Sequence, residues 1–265
     1  ASLPFASEHV ILEYACFRAG IIHAPLDLRL SPAEVIREIS SIGARGYAHL
    51  GKTPLADFRD LAKAVKSHCP SVEHLLQFSP AAECIEGAIP VAKLFEPPTT
   101  YLPPAGIAPE DGVQVIFTSG STGSPKPALL SHRGIVCQNL CLGTAFDFGP
   151  GQRVLLNLPA SHVGGQAEIL MTTLFNGGTA VMLEIFDAAL SLASISKYRV
   201  TLIGQIPAMF NMEWRQSAYD ATDCSSLRLA VYGHSHVPKT FPVGECAVVN
   251  ASVAEKGTGP MMLAV

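Results

Sequence analysis

A chain of 265 residues, 48% hydrophobic and 15% charged, carries enough apolar material for one large or two modest cored domains and is not a disordered chain. Its formal net charge is −4 with no basic run, which excludes an electrostatic footprint for nucleic acid. No apolar stretch approaches the roughly 20 residues of a membrane span, and the opening ASLPFASEHV lacks the basic-then-apolar order of a secretory leader. Cys16, Cys69, Cys84, Cys137, Cys141, Cys224 and Cys246 are odd in number and scattered. They read as reduced, mostly buried thiols of a cytoplasmic protein. Cys137 and Cys141 can share a helix face, but no second pair completes a zinc site.

In chain order the pattern alternates helix and strand. SEHVILEYACFRAG has apolar residues at helical spacing and Gly20 as its stop. IIHAPLD reads as a short buried strand. SPAEVIREISSIG is a helix with Ser31 as N-cap, Pro32 at the first helical position, Glu34 completing a capping box and Gly43 able to end it left-handed. GYAHL reads as a strand, PLADFRDLAKAVKSHC as a helix and VEHLLQF as a strand. Between residues 80 and 110, Pro80, Pro90, Pro97, Pro98, Pro103, Pro104 and Pro109 interrupt regular elements, so this stretch reads as a surface connection. A second series follows: strands VQVIF, RVLLNL, TAVML, VTLIGQI and LRLAVY, with helices RGIVCQNLCLGTAF, QAEILMTTLF, AALSLASISKY and PAMFNMEW between them. Short apolar strands between helices imply sheets covered on both faces, an α/β architecture. The expected division is a first α/β subdomain at 1–80, a Pro-rich connection at 81–110 and a second α/β subdomain at 111–265.

The most informative segment is VIFTSGSTGSPKPALLSH, residues 115 to 132. A strand runs into Thr118, Ser119, Gly120, Ser121, Thr122, Gly123, Ser124, Pro125 and Lys126. Glycines let several backbone N–H groups aim at one point, hydroxyls add donors and Lys126 adds charge, a combination suited to a polyphosphate. The segment does not match the G-x-x-x-x-G-K-[ST] loop.

This string resembles the phosphate-binding signature of the adenylate-forming superfamily, roughly T-S-G-[ST]-T-G-x-P-K-G followed by a short apolar run and Ser-His, here Ser131 and His132. Pro127 stands where the family usually has glycine, removing an N–H donor from the end of the loop. The resemblance extends along almost the whole chain, with the family's first few dozen residues and its C-terminal domain absent. LNLPASHVGG is similar to the family's L-P-x-x-H-x-x-G and implies that His162 stands at the mouth of the acyl pocket, with Val163 and Gly164 lining it. VTLIGQIPAMFNMEW resembles the family's acyl-lining strand and helix, with Ile203, Ile206 and Met209 as an apolar lining. LRLAVYGHSH places Gly233 where the family has a G-G-A-P-like turn, with His234 and Ser235 in the acyl pocket. VVNASVAE lies where relatives have N-x-Y-G-x-T-E. Glu255 then matches the magnesium-holding glutamate, while Ala251, Ser252 and Ala254 replace the adenine-stacking tyrosine, the glycine and the phosphate-contacting threonine.

The resemblance implies the layered αβαβα N-terminal domain of an adenylate-forming enzyme, with two similar sheet subdomains and the active cleft at one edge. The implied activity is that of an AMP-forming acyl-CoA ligase, with ATP/AMP, Mg and coenzyme A as its cofactors. A small carboxylic acid, bulky or apolar, is the implied partner of CoA, and a homodimer is compatible with it. His162, Lys126 and Glu255 are the catalytic candidates. Three other readings stand beside this one. The altered nucleotide residues suit a member impaired in adenylation that acts mainly on a preformed acyl-adenylate. They also suit a non-catalytic module that retains one. A serine hydrolase using Ser235 in a G-x-S-x-G-like turn lacks the last glycine, which is Val237, and the helix that should follow, because Pro238 and Pro242 interrupt it. His234 and His236 suggest no third metal ligand.

Overall fold

Local side-chain chemistry sets several element ends as the sequence suggests. The computed structural model describes residues 1–54, 56–97, 106–118 and 125–232, together with the backbone of 247–250. Helix α1 spans Ser7–Arg18 and α2 spans Pro32–Ser41. The α2 capping box is formed: Ser31 Oγ accepts from Glu34 N, and the Glu34 carboxylate accepts from Ser31 N at 2.8 Å. Gly43 follows with a φ of 58°, a left-handed position where a Cβ would be strained. Strand β1 is Gly46–Leu50, and α3 is Phe58–His68. That helix starts later than its apolar pattern suggests, because Asp57 takes the N-cap and accepts from Arg59 N at 3.1 Å.

Contacts divide the chain into two units, residues 1–134 with 160–162, and residues 135–159 with 163–265. The first unit has a parallel sheet of β1, β2 (His74–Phe78) and β3 (Ala88–Pro90), in that order. Its core gathers Leu26, Val35, Ile39, Tyr47, Val65 and Leu75. The Pro-rich stretch therefore contains regular structure: β3 and two short 3₁₀ turns, Ala81–Glu83 and Val91–Phe95. Pro90 is tolerated because it ends an edge strand, where no ladder donor is demanded of it. A second sheet in this unit pairs β4 (Gly112–Thr118) with β5 (Lys126–Ser131), antiparallel. β5 was not among the strands expected from the sequence. IIHAPLD is not a strand. His23 alone bridges β4 at Gln114, Ile21 and Ile22 are exposed, and Pro25 has no N–H to extend a ladder.

Helix α4 (His132–Ala145) crosses the unit boundary. The second unit then contains β6 (Arg153–Leu156), a π-helical segment Gly164–Met171 running into α5 (Thr172–Phe175), and β7 (Thr179–Met182). It continues with α6 (Ala188–Tyr198), β8 (Leu202–Gln205), α7 (Pro207–Trp214), β9 (Leu229–Tyr232) and β10 (Ala247–Asn250). The five strands form one parallel sheet in the order β10-β9-β8-β6-β7. Both faces are covered, as the apolar strands imply. Ile203 turns toward α6 and α7, in a core with Leu155, Leu192, Ile195 and Phe210. Its neighbour Gly204 turns the other way, where a Cβ would come within 2.9 Å of Ile169 on the π-helical segment. The helix expected over QAEILMTTLF is thus present but starts earlier and with the wider π winding.

Among the described cysteines Cys69 alone is buried, Cys16, Cys84 and Cys224 are half-buried, and Cys137 and Cys141 are exposed. The expectation of mostly buried thiols is corrected. On α4 the packed face carries Ile135, Asn139 and Gly143, which turns the two thiols outward. No described helix is long and apolar enough to cross a membrane.

Candidate functional site

The hydroxyl- and glycine-rich segment is held at its two ends by a strand pair. Thr118 closes β4 and Lys126 opens β5. The two residues are register partners, and Thr118 Oγ1 lies 3.4 Å from the Lys126 carbonyl, to which it donates. Both side chains are exposed. Ser119, Gly120, Ser121, Thr122 and Gly123 lie outside the described residues. Pro127 sits opposite Phe117 on β5, which has a strand partner on one side only among the described residues. Its missing N–H is therefore compatible with the ladder. At the far end of β5, Ser131 Oγ accepts from Gly134 N at 3.1 Å and so caps α4. The Ser-His of the sequence motif thus has a structural role in its serine. The His132 ring meets Phe17 edge-on, with centroids 6.4 Å apart.

Beneath β4 lies a buried polar cluster that sequence reading missed. His9, Glu13, His23 and Gln114 are all at most 5% exposed. His9 Nδ1 is 2.9 Å from Pro4 O, a carbonyl that can only accept, so Nδ1 carries the proton. His9 Nε2 is then the acceptor for His23 Nε2–H at 3.3 Å. That leaves His23 Nδ1 as a bare lone pair 3.1 Å from Glu13 Oε1, without hydrogen-bond alignment. A lone pair facing a carboxylate would repel it, so the carboxyl group keeps its proton. Burial acts the same way. It raises the Glu13 pKa to about 7 against the opposing effects of His9 and the Gln114 Nε2 donor at 2.7 Å. Burial also lowers His9 to about 4 and His23 well below its ordinary value. The sequence signal was present but read the other way. His9 and Glu13 are four apart on α1 and face inward, while Ile11 is 53% exposed.

A pH dependence follows. The folded pKa of Glu13 is about 7, above its ordinary 4.5. Its favourable contribution is complete below 4.5 and is lost as pH rises through 7. The neutral histidines run oppositely, so the Glu13 component is isolated by the near-isosteric Glu13→Gln. Relative to the parent, this variant should gain about 3 kcal/mol between pH 4.5 and pH 8. Urea unfolding of both proteins across that range measures it. A difference that stays flat with pH would mean that Glu13 is ionised in the folded protein.

His162 is half-buried in the turn Ala160–His162, which belongs to the first unit. That turn is tied there through Ser161. Arg29 first, and Ser161 with it, hold the Asp27 carboxyl below its usual range against the effect of burial. In the second unit Val163 is half-buried and Gly164 is buried where the π-helical segment begins. π-helical turns often mark functional sites. Ile206 is half-buried at the carboxyl end of β8, as N-cap of α7. Carboxyl ends of parallel strands are where ligands bind in open α/β sheets. Ile203 packs into the core with Phe210. Gly233, His234, Ser235, His236, Ala251, Ser252, Ala254 and Glu255 lie outside the described residues. No group of three His, Cys, Asp or Glu among the described residues could hold a metal ion.

Sequence reading also missed a polar network under the strand ends of the second unit. Asn157 Nδ2 donates to Ser191 Oγ at 3.3 Å, and Ser191 Oγ donates to Glu213 Oε1. Gln205 Nε2 reaches both Glu213 oxygens, at 3.2 and 2.9 Å. Burial raises the Glu213 pKa while its two partners oppose the shift. A carboxylate within the otherwise uncharged PAMFNMEW was the available clue.

The sequence profile of the family described as "AMP-binding enzyme" matches residues 3–245. The feruloyl-CoA synthase of Amycolatopsis sp. is 30% identical over 231 residues, 85% of this chain and 41% of that protein. The 4-chlorobenzoate–CoA ligase of Pseudomonas sp. is 30% identical over 202 residues, 76% of this chain and 36% of that protein. The chain thus spans about two-fifths of the length of these curated relatives. Among solved structures, the N-terminal domain of FACL13 from Mycobacterium tuberculosis superposes with a TM-score of 0.80 at 21% identity, covering 96% of this chain and 61% of that one. The anthranilate CoA ligase AuaEII, solved with anthranoyl-AMP, gives 0.82 at 19% identity over 96% and 48%. These two likenesses concern the fold, which is the expected mixed α/β class. With a profile match over nearly the whole length and strands delivering Thr118 and Lys126 to the two ends of its signature segment, the chain belongs to the AMP-binding enzyme family.

Proposed function

We propose that this chain is the ATP- and acid-binding part of an AMP-forming acyl-CoA ligase. A carboxylate attacks the α-phosphate of ATP, forming acyl-adenylate and releasing pyrophosphate. The thiol of CoA then attacks the acyl carbon and AMP leaves. The observation that carries this reading is the β4–β5 pair, which presents one hydroxyl and one cation at the two ends of a glycine- and hydroxyl-rich segment. Positioning and charge neutralisation are what phosphoryl chemistry asks of a protein. In this reading Ser119–Gly123 and Lys126 meet the phosphates, and His162, Val163, Gly164, Ile206, Gly233, His234 and Ser235 surround the acyl group. Ala251, Ser252 and Ala254 stand beside the nucleotide, and Glu255 holds Mg. The acid is bulky and apolar. The relatives named for feruloyl and 4-chlorobenzoate thioesters favour an aryl acid. Acid-dependent ATP–pyrophosphate exchange by the full-length protein, screened over aryl acids, is expected to exceed the no-acid rate. Absence of exchange with every acid would remove the adenylation step.

A second reading is favoured by two residues. Alanine at 251 and 254 removes a stacking ring and a hydroxyl that the family signature contains. Stacking is worth about 1–3 kcal/mol per base, and a hydrogen bond to a charged group about 1.5–3 kcal/mol. An acyl-adenylate, with its acyl group also held, tolerates that loss better than ATP does. The member would then work mainly in thioester formation. No exchange, with rapid thioester formation from synthetic acyl-AMP and CoA, is the outcome that selects this reading. Pro127, which removes an N–H donor at the end of the signature segment, points the same way. Failure of both assays would select the non-catalytic module.

A further inference from the structure

The second unit has an open depression at the end of its sheet opposite the carboxyl ends of β6 and β8. Its volume is about 470 Å³, and it is lined by Arg153, Lys197, Tyr198, Arg199, Thr201 and Ser226. Three of these are cations and none is a carboxylate. The residues come together by topology. Arg153 opens β6, Thr201 directly precedes β8, Ser226 lies shortly before β9, and Lys197 to Arg199 end α6.

Basic residues at a helix end usually serve its carbonyls, and Arg153 does so in part, donating from Nη1 to Tyr198 O at 3.2 Å. The others are not used up in this way. The Lys197 ammonium lies 4.9 Å from the centre of the exposed Tyr198 ring. The Arg199 side chain is 66% exposed, and the carboxylate paired with it, Asp223, is 3.9 Å away, beyond hydrogen-bond range. Arg199 also holds a left-handed backbone, φ 49° and ψ 55°, at a helix end where glycine or asparagine is the usual occupant. Ser226 donates to Val200 O at 2.8 Å, and the Thr201 hydroxyl accepts from Arg153 N at 2.9 Å. The charged groups of Lys197 and Arg199 are thus among the least engaged donors of the depression.

We propose that this depression binds the phosphate group of a phosphomonoester. Two guanidinium forks and an ammonium match a dianion with several acceptor oxygens better than they match a single carboxylate. The volume leaves room for the esterified alcohol. The depression shares no residue with the adenylation reading, and within the second unit it lies at the opposite end of the sheet from Ile206.

The test measures the melting temperature of the full-length protein against inorganic phosphate, with sodium chloride at matched ionic strength as control. A saturable rise is expected with phosphate only. Arg199→Asn removes the charge and suits the left-handed position, so it should fold as the parent does. In this variant, and in Arg153→Gln, the half-saturating concentration should increase about tenfold or more. In Lys126→Ala it should be unchanged, which separates this site from the signature segment. Co-sedimentation with phosphatidylcholine vesicles, with and without phosphatidic acid, identifies the source. Arg199-dependent binding only to phosphatidic acid assigns the phosphate to a lipid headgroup, and a response to free phosphate assigns it to a soluble ligand. An equal response to chloride with no Arg199-dependent vesicle binding overturns the proposal. So does a parent-like response of Arg199→Asn in both arms.

Discussion

Lys126→Ala is expected to lower acid-dependent ATP–pyrophosphate exchange by about a hundredfold or more, the usual consequence of removing one group that meets charge in a transition state. The side chain is exposed at the first residue of β5, and its backbone partner Thr118 fixes where that residue starts. Nothing packed is lost, so stability should change by no more than about 0.5 kcal/mol. The combination of a large kinetic loss with an unchanged melting curve separates a phosphate-neutralising role from a structural one. Thr118→Ala should lose less, because its hydroxyl is partly engaged by the Lys126 carbonyl. The decisive comparison is kcat/KM for exchange in parent and variant, alongside thermal unfolding. Retention of exchange within threefold would mean that the lysine of the signature segment does not meet the phosphates.

Glu213→Ala should produce the largest loss of stability, about 3–5 kcal/mol. The carboxyl group is 3% exposed and receives Ser191 Oγ and both contacts from Gln205 Nε2. Truncation leaves those donors buried without acceptors and opens a cavity beside Phe210 and Ser191. Glu213→Gln preserves the volume and one acceptor oxygen, so its cost should be about 1–2 kcal/mol. Gln205 sits at the end of β8 and Ser191 on α6, so the network links strand end to helix. Chemical denaturation of both variants measures the difference. A cost below about 1 kcal/mol for the alanine variant would show that the network is dispensable.

Much was legible where the cause is local. The α2 capping box, the left-handed Gly43 and the parallel β6–β9 strands depend on near neighbours and on runs of apolar residues, and these are written in the sequence. The signature from Thr118 to Lys126 was legible because its residue types have few purely structural uses in that order.

Tertiary structure decided what depends on distant partners. Pro127 fits a strand because β5, among the described residues, has a strand partner on one side only. His9 and Glu13 face inward where Gln114, about a hundred positions away, donates to Glu13 and His23 meets His9. Glu213 is buried because Ser191 and Gln205 approach it from α6 and β8. Arg153, Lys197 and Arg199 form one basic depression only because a parallel sheet returns each strand start to the same end. Desolvating a polar group costs several kcal/mol unless a partner is in place. Where the partner is remote, the sequence by itself carries the residue but not the reason for its burial.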